Sequence, residues 1–170
     1  MAYFPLFVNL QEKHVLVIGG GMIATRRVKS LLEFGCRIWI VAPEVTGEMK
    51  CMIENGKASW ICGAYSSLNQ IAAGDKKPIF VLAAANPEVN QAVVDDCRKA
   101  GIPVNDASKK ENCDFYFPGL VKEGDVVVGI TAGGTDHKLA SELTSNIRSA
   151  VQDRTKQKAG TSEKTDVPNL

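Results

Sequence analysis

Apolar residues recur along this chain with two different periods, and the switches between them predict its elements. His14–Ile18 is a short apolar run rich in β-branched residues, the pattern of a strand buried on both faces. After Gly19-Gly20-Gly21, the residues Ile23, Val28, Leu31, Leu32 and Phe34 recur at helical spacing, and Gly35 ends the run. Arg37–Ala42 (RIWIVA) predicts a second strand, stopped by Pro43. Glu44–Glu54 predicts a helix closed by Asn55 and Gly56, and Ala58–Cys62 a weaker third strand. Pro78–Ala85 (PIFVLAAA) predicts a fourth strand. Pro87 suits the first turn of a helix reaching Ala100, Gly101 closes it, and Ile102–Asn105 predicts a fifth strand. Strands separated by helices of this length imply parallel β-α-β units, an α/β sheet with helices on both faces.

The pattern changes after Asp106. Phe115–Leu120 and Asp125–Thr131 (DVVVGIT) read as strands, with only Lys122-Glu123-Gly124 as a turn between them. That spacing predicts a hairpin rather than a crossover. The run Thr131-Ala132-Gly133-Gly134-Thr135 then leads into a helix expected from about Lys138 to Lys156. Gln157–Leu170 is polar, rich in lysine and almost without large apolar residues, and reads as a disordered tail.

Composition narrows the function classes. A chain of 170 residues suits one domain with a small appendage, and 45% hydrophobic residues suffice for a core. A net charge of +1, without a dense basic run, argues against nucleic-acid binding. Cysteines stand at 36, 51, 62, 97 and 113, with no C-x-x-C pair. That pattern argues against a disulfide framework and a zinc site, and most of the thiols are expected to be small core residues of a reduced protein. MAYFPLFVNL lacks the basic start of a signal peptide, and no apolar run approaches the ~20 residues of a membrane span, so a cytoplasmic location is expected.

Gly19, Gly21 and Ala24 spell G-x-G-x-x-A between the first strand and the first helix. The first glycine permits a tight turn, the second lets backbone approach a pyrophosphate, and the small third residue lets helix and strand pack closely. The helix N-terminus then offers N–H groups to the phosphates. This is the pattern of a Rossmann-type dinucleotide cradle, with a purely structural turn as its other reading, and the loop by itself leaves open which dinucleotide it would take. An acid ending the second strand would accept the ribose hydroxyl. Here it comes late, as Glu44 after Pro43; it either turns back to the ribose or begins the next helix. Arg26 and Arg27, one turn into the first helix, are phosphate or substrate contacts or else solvated surface charges.

Three segments in order, YFPLFVNL, then VLVIGGGMIATRRVKSLLEFG with IVAPE, then VNDASKKENCDFYFPGLVKEGDVVVGITAGGTDHKLA, resemble the precorrin-2 dehydrogenase family, NAD-dependent enzymes of sirohaem synthesis. The similarity runs from about Tyr3 to Ala140. The resemblance implies oxidation of precorrin-2 to sirohydrochlorin, with hydride passing to NAD⁺. It implies nucleotide contacts at Met22, Ile23, Pro43 and Glu44, and a catalytic aspartate at Asp106. It also implies a homodimer built through a segment starting near Phe115. The expected division is a nucleotide-binding domain over 1–112, a dimerisation and substrate-cleft segment over 113–156, and a tail over 157–170.

The residues are compatible with that chemistry. A side chain cannot take a hydride, so NAD⁺ must, while the departing proton needs a base. Asp106, at the carboxyl end of a parallel strand, has the address where open α/β sheets bind ligands. Its other reading is a turn residue in Asp106-Ala107-Ser108, and both can hold. The many carboxylates of such a ring would suit Lys109, Lys110, Lys122 and Lys138, or backbone N–H groups at Thr131–Thr135. That stretch reads equally as a connection capped by Thr135 or Asp136. The chain departs from the family in having Asp136-His137 where serine-proline is common, and in lacking an obvious longer helical region after the last helix. Two other functions compete: additional Fe²⁺ insertion into sirohydrochlorin, for which no metal-ligand cluster is visible, and a non-catalytic NAD-sensing module.

Overall fold

A computed structural model describes residues 4–68 and 77–162, with side chains as far as 155. Within it the chain forms two compact units, one spanning residues 4–115 and one beginning at residue 116.

The first unit is a five-stranded sheet in the order β3-β2-β1-β4-β5, every neighbouring pair parallel. Its elements are β1 (His14–Ile18), α1 (Met22–Leu32), β2 (Arg37–Ala42), α2 (Gly47–Glu54), β3 (Ser59–Cys62), β4 (Phe80–Ala83), α3 (Pro87–Ala100) and β5 (Val104–Asp106). This is the Rossmann strand order, with the switch point between β1 and β4. Alternation along β1 and β2 sends Val15, Val17, Ile38 and Ile40 to one face and Leu16, Ile18, Trp39 and Val41 to the other. The second set joins Val81, Ala83, Val93, Val94, Cys97 and Val104 in one buried cluster with α3. Right-handed crossovers put α1 and α2 on the opposite face, where Ala24, Val28, Leu31 and Met49 are buried.

Boundaries differ from the pattern reading wherever a backbone group finds a side-chain or loop partner. The second helix starts at Gly47, not Glu44, because Thr46 caps it, its Oγ1 accepting from Met49 N–H at 3.2 Å. Strand β4 is shorter than Pro78–Ala85: Pro78 has no N–H, and Ala85 N–H donates to Asn90 Oδ1 at 2.9 Å instead of a neighbouring strand. Strand β5 begins after Pro103, since Ile102 N–H is used in closing α3 on Cys97. A single 3₁₀ turn, Lys110–Asn112, follows it.

The second unit is an antiparallel hairpin, β6 (Gly119–Glu123) and β7 (Val126–Ile130), with α4 (His137–Ser162) against it. The hairpin was expected, but its first strand begins at Gly119 rather than Phe115. Phe115 is spent elsewhere: its carbonyl accepts from Asn105 Nδ2 at 2.7 Å, and its ring lies 5.0 Å from that of Phe80. Pro118 then supplies no donor. Gly119 has a packing reason, since a Cβ there would drive into Thr144 Oγ1 of α4. Asp136 caps α4, its Oδ1 accepting from Leu139 N–H at 2.8 Å. The helix continues to Ser162, six residues past the expected end at Lys156, so Gln157–Ser162 are helical rather than disordered tail. The rest of the expected tail, 163–170, lies outside the described residues.

Candidate functional site

The β1–α1 turn is built from glycines that answer to different constraints. Gly19 has φ +119°, and a Cβ on it would strike the Ala84 carbonyl at the end of β4. Gly20 has no such torsion, but a Cβ would strike the Glu44 carbonyl. Gly21 is the N-cap of α1 with φ −78°, a value open to any residue, and among the described residues no atom beyond its own chain neighbours lies within 4 Å of where its Cβ would stand. Nothing among the described residues requires glycine there. The absent side chain leaves an open approach to a helix N-terminus that no side chain caps and whose first turn carries no acid. A pyrophosphate fits that cradle.

Around the turn, Gly19 N–H donates to Val41 O at 2.9 Å and Thr46 N–H to Gly20 O at 3.0 Å. The Thr25 hydroxyl, buried beneath, lies 2.9 Å from Gly21 O and 2.7 Å from Thr46 Oγ1. Ala24 is fully buried against the sheet, whereas Met22 (66% exposed) and Ile23 stand open on the first turn. Pro43 and Glu44 are exposed at the end of β2.

Asp106 ends β5, almost buried. Its Oδ1 accepts from Ser108 N–H at 2.8 Å, Ser108 Oγ at 2.6 Å and Asn90 Nδ2 at 3.2 Å, and its Oδ2 from Asn112 Nδ2 at 2.9 Å. The Ser108 N–H bond makes an Asx turn. Burial alone raises the carboxyl pKa. The hydrogen bonds from Ser108, Asn112 and the Lys109 N–H outweigh it and hold the group below the ordinary carboxylate range.

Arg27 reaches across from α1 to Asn105 Oδ1, 2.6 Å away in β5, while Arg26 is exposed. Burial lowers the Arg27 pKa, opposed by its electrostatic interactions with Cys113 and Asp106. Cys113 is woven into the same network: its Sγ accepts from Asp106 N–H at 3.3 Å and lies 3.2 Å from Asp106 O, and burial raises its pKa. The expectation that most cysteines are core residues needs correcting, because only Cys36 and Cys97 are buried. Cys51 and Cys62 are exposed, and all five are free thiols. Burial pushes Cys36 up to about 11 and Cys97 up to about 12. Lys109 and Lys110 are exposed in the first unit, and Lys122 and Lys138 in the second. At 131–135, Gly133 N–H is taken by Thr131 Oγ1 and Thr135 N–H by Ala132 O, and the helix cap is Asp136. Pattern reading missed Asn90, Asn112, Thr25 and Thr46. A signal did exist for Asn90, a polar residue on the stripe that also carries Val93, Val94 and Cys97.

A family model described as "Putative NAD(P)-binding" matches residues 6–119. The chain belongs to this family. Among relatives, a multifunctional siroheme biosynthesis protein of Ruminiclostridium josui is 39% identical over 147 residues, covering 85% of this chain and 28% of that protein. A siroheme synthase of Nitrosomonas europaea is 32% identical over 151 residues, covering 89% and 31%. The chain therefore spans less than a third of the length of these two relatives. A solved structure of SirC, a precorrin-2 dehydrogenase, matches with a TM-score of 0.68 at 25% identity, covering 87% of this chain and 71% of that one. The glycine turn, Thr25, Thr46, Asn90 and Asp106 all fall inside the region matched by the NAD(P)-binding family model.

Proposed function

We propose that this chain is an NAD-dependent dehydrogenase that oxidises precorrin-2 to sirohydrochlorin. The observation that carries the reading is Gly21, a glycine with no internal reason to be one, at an uncapped helix start on a Rossmann switch edge. The siroheme-pathway relatives and the precorrin-2 dehydrogenase neighbour supply the substrate class. When bound, NAD⁺ accepts one hydride.

The chain's residues do the rest. The first-turn N–H groups of α1, from Met22 onward, hold the pyrophosphate, and Met22 and Ile23 cover it with apolar surface. Pro43 and Glu44 border the ribose, with the Glu44 carboxylate as acceptor for its hydroxyl. Asp106 is the general base. Its lowered pKa keeps it ionised at neutral pH, and substrate must displace one of its donors for the proton to arrive. The second unit serves as the dimerisation element of a homodimer: one helix on a two-stranded hairpin leaves Val126, Leu139 and Leu143 exposed. Five free thiols suit the cytoplasm.

The test mixes protein, NAD⁺ and enzymatically made precorrin-2 and follows NADH absorbance together with the sirohydrochlorin spectrum. The expected result is matched growth of both, with Asp106→Asn binding NAD⁺ normally but turning over about 100-fold more slowly or worse. Turnover by Asp106→Asn at the parental rate removes the base assignment, and no NADH from the parent chain removes the function.

A further inference from the structure

The ends of β4 and β5 are joined by more than their ladder. After Ala84, whose N–H still reaches Ile18 O at 2.7 Å, the chain turns away and Ala85 N–H is left to a side chain. That side chain is Asn90, fully buried on the stripe of α3 that otherwise carries Val93, Val94 and Cys97. A buried amide is costly unless its polar atoms are paired, and both are here. Oδ1 accepts from Ala85 N–H, and the two Nδ2 hydrogens go to Asp106 Oδ1 at 3.2 Å and Ser108 Oγ at 3.1 Å. Because the Ala85 N–H can only donate, the amide has one allowed orientation, with its nitrogen toward Asp106.

We propose that Asn90 is a positioning residue for the reaction, holding the Asp106 carboxylate at a set distance from the backbone end of β4. This rests on the reading above, in which the dinucleotide lies across the carboxyl edge and Asp106 faces the substrate. Hydride transfer needs the reacting atoms within about 3.5 Å and aligned, so a slipped carboxylate costs rate more than affinity. The other groups facing Asp106 are Arg27 from α1 and, after β5, Ser108, the Lys109 N–H, Asn112 and Cys113. Asn90 also holds the backbone just past β4, through Ala85 N–H.

Asn90→Asp is the discriminating variant. It keeps the shape and the acceptor for Ala85 N–H but sets a carboxylate against Asp106 Oδ1. Two carboxylates in contact share a proton, so one of them titrates at much higher pH. The expected result on the full chain is an NAD⁺ Kd within about threefold of the parent and a kcat lowered about 100-fold at neutral pH. The kcat profile gains an inflection absent from the parent. In the protein without nucleotide, the ¹³C carboxyl resonance of Asp106 titrates at higher pH than in the parent. Asn90→Ala lowers kcat with little change in KM. Parental kcat and profile in either variant overturn the proposal. So does loss of folding, or of NAD⁺ affinity in step with kcat, in both, because Asn90 would then be structural only. A parent chain without turnover defeats the functional reading instead, and the carboxyl titration then decides separately whether Asn90 governs Asp106.

Discussion

At the scale of single residues, adjacent glycines in the β1–α1 turn give opposite expectations. Gly20→Ala pushes a methyl into the Glu44 carbonyl, so the backbone must shift, and a loss of about 1–3 kcal/mol in stability is expected. Gly21→Ala meets nothing and keeps an ordinary φ, so thermal unfolding should move little. Its NAD⁺ affinity, measured by titration, should fall by about tenfold or more, because the methyl occupies the pyrophosphate approach. Asp106 makes a pH prediction. Its pKa is lower folded than unfolded, so its contribution is complete above about pH 4 and is lost as pH falls through the depressed value. Asp106→Asn should therefore cost about 2 kcal/mol at neutral pH, and the gap between variant and parent in denaturant unfolding should close in acid.

At the scale of elements, the second β-α unit is tied to the nucleotide turn through Thr46. Its Oγ1 caps α2 and meets the Thr25 hydroxyl, and its N–H holds Gly20 O. Thr46→Ala removes the cap and the hydroxyl contact, at a cost of about 1 kcal/mol or slightly more in chemical denaturation. Strands β1 and β2 were legible to the residue, because both are apolar runs bounded by a glycine or a proline. Their neighbours were less so. An apolar alternation near Phe115 looks the same whether its backbone pairs with a strand or with Asn105, and the segment 113–115 lies back along β5, with Asp114 bonded to both backbone groups of Val104. Local pattern carries no information about such distant partners.

At the scale of the whole molecule, the second unit is too thin to bury its own apolar surface. Val126 on the hairpin and Leu139 and Leu143 (41% exposed) on its one covering helix remain open. In the proposed homodimer this surface is the contact, so Leu143→Asp should convert a dimer to a monomer in sedimentation, with the Rossmann unit still binding NAD⁺. No helix among the described residues is long and apolar enough to cross a membrane.

The alternation of strands and helices, the parallel sheet, the glycine turn and the acid at the end of β5 were all present in the order of residues, since each depends on neighbours within one or two turns of chain. Of what surrounds that acid, only the turn to Ser108 was. Asn90 from α3 and Arg27 from α1 are distant in sequence, and only folding brings them to the carboxylate that Asn112 and Cys113 of the loop beyond β5 also face. The tertiary structure also separated Gly20, required by a carbonyl of another loop, from Gly21, required by no atom among the described residues. Sequence carries short-range torsion and periodicity, whereas the partners of a buried polar group are set by contacts distant in sequence, which exist only once the sheet has closed around them.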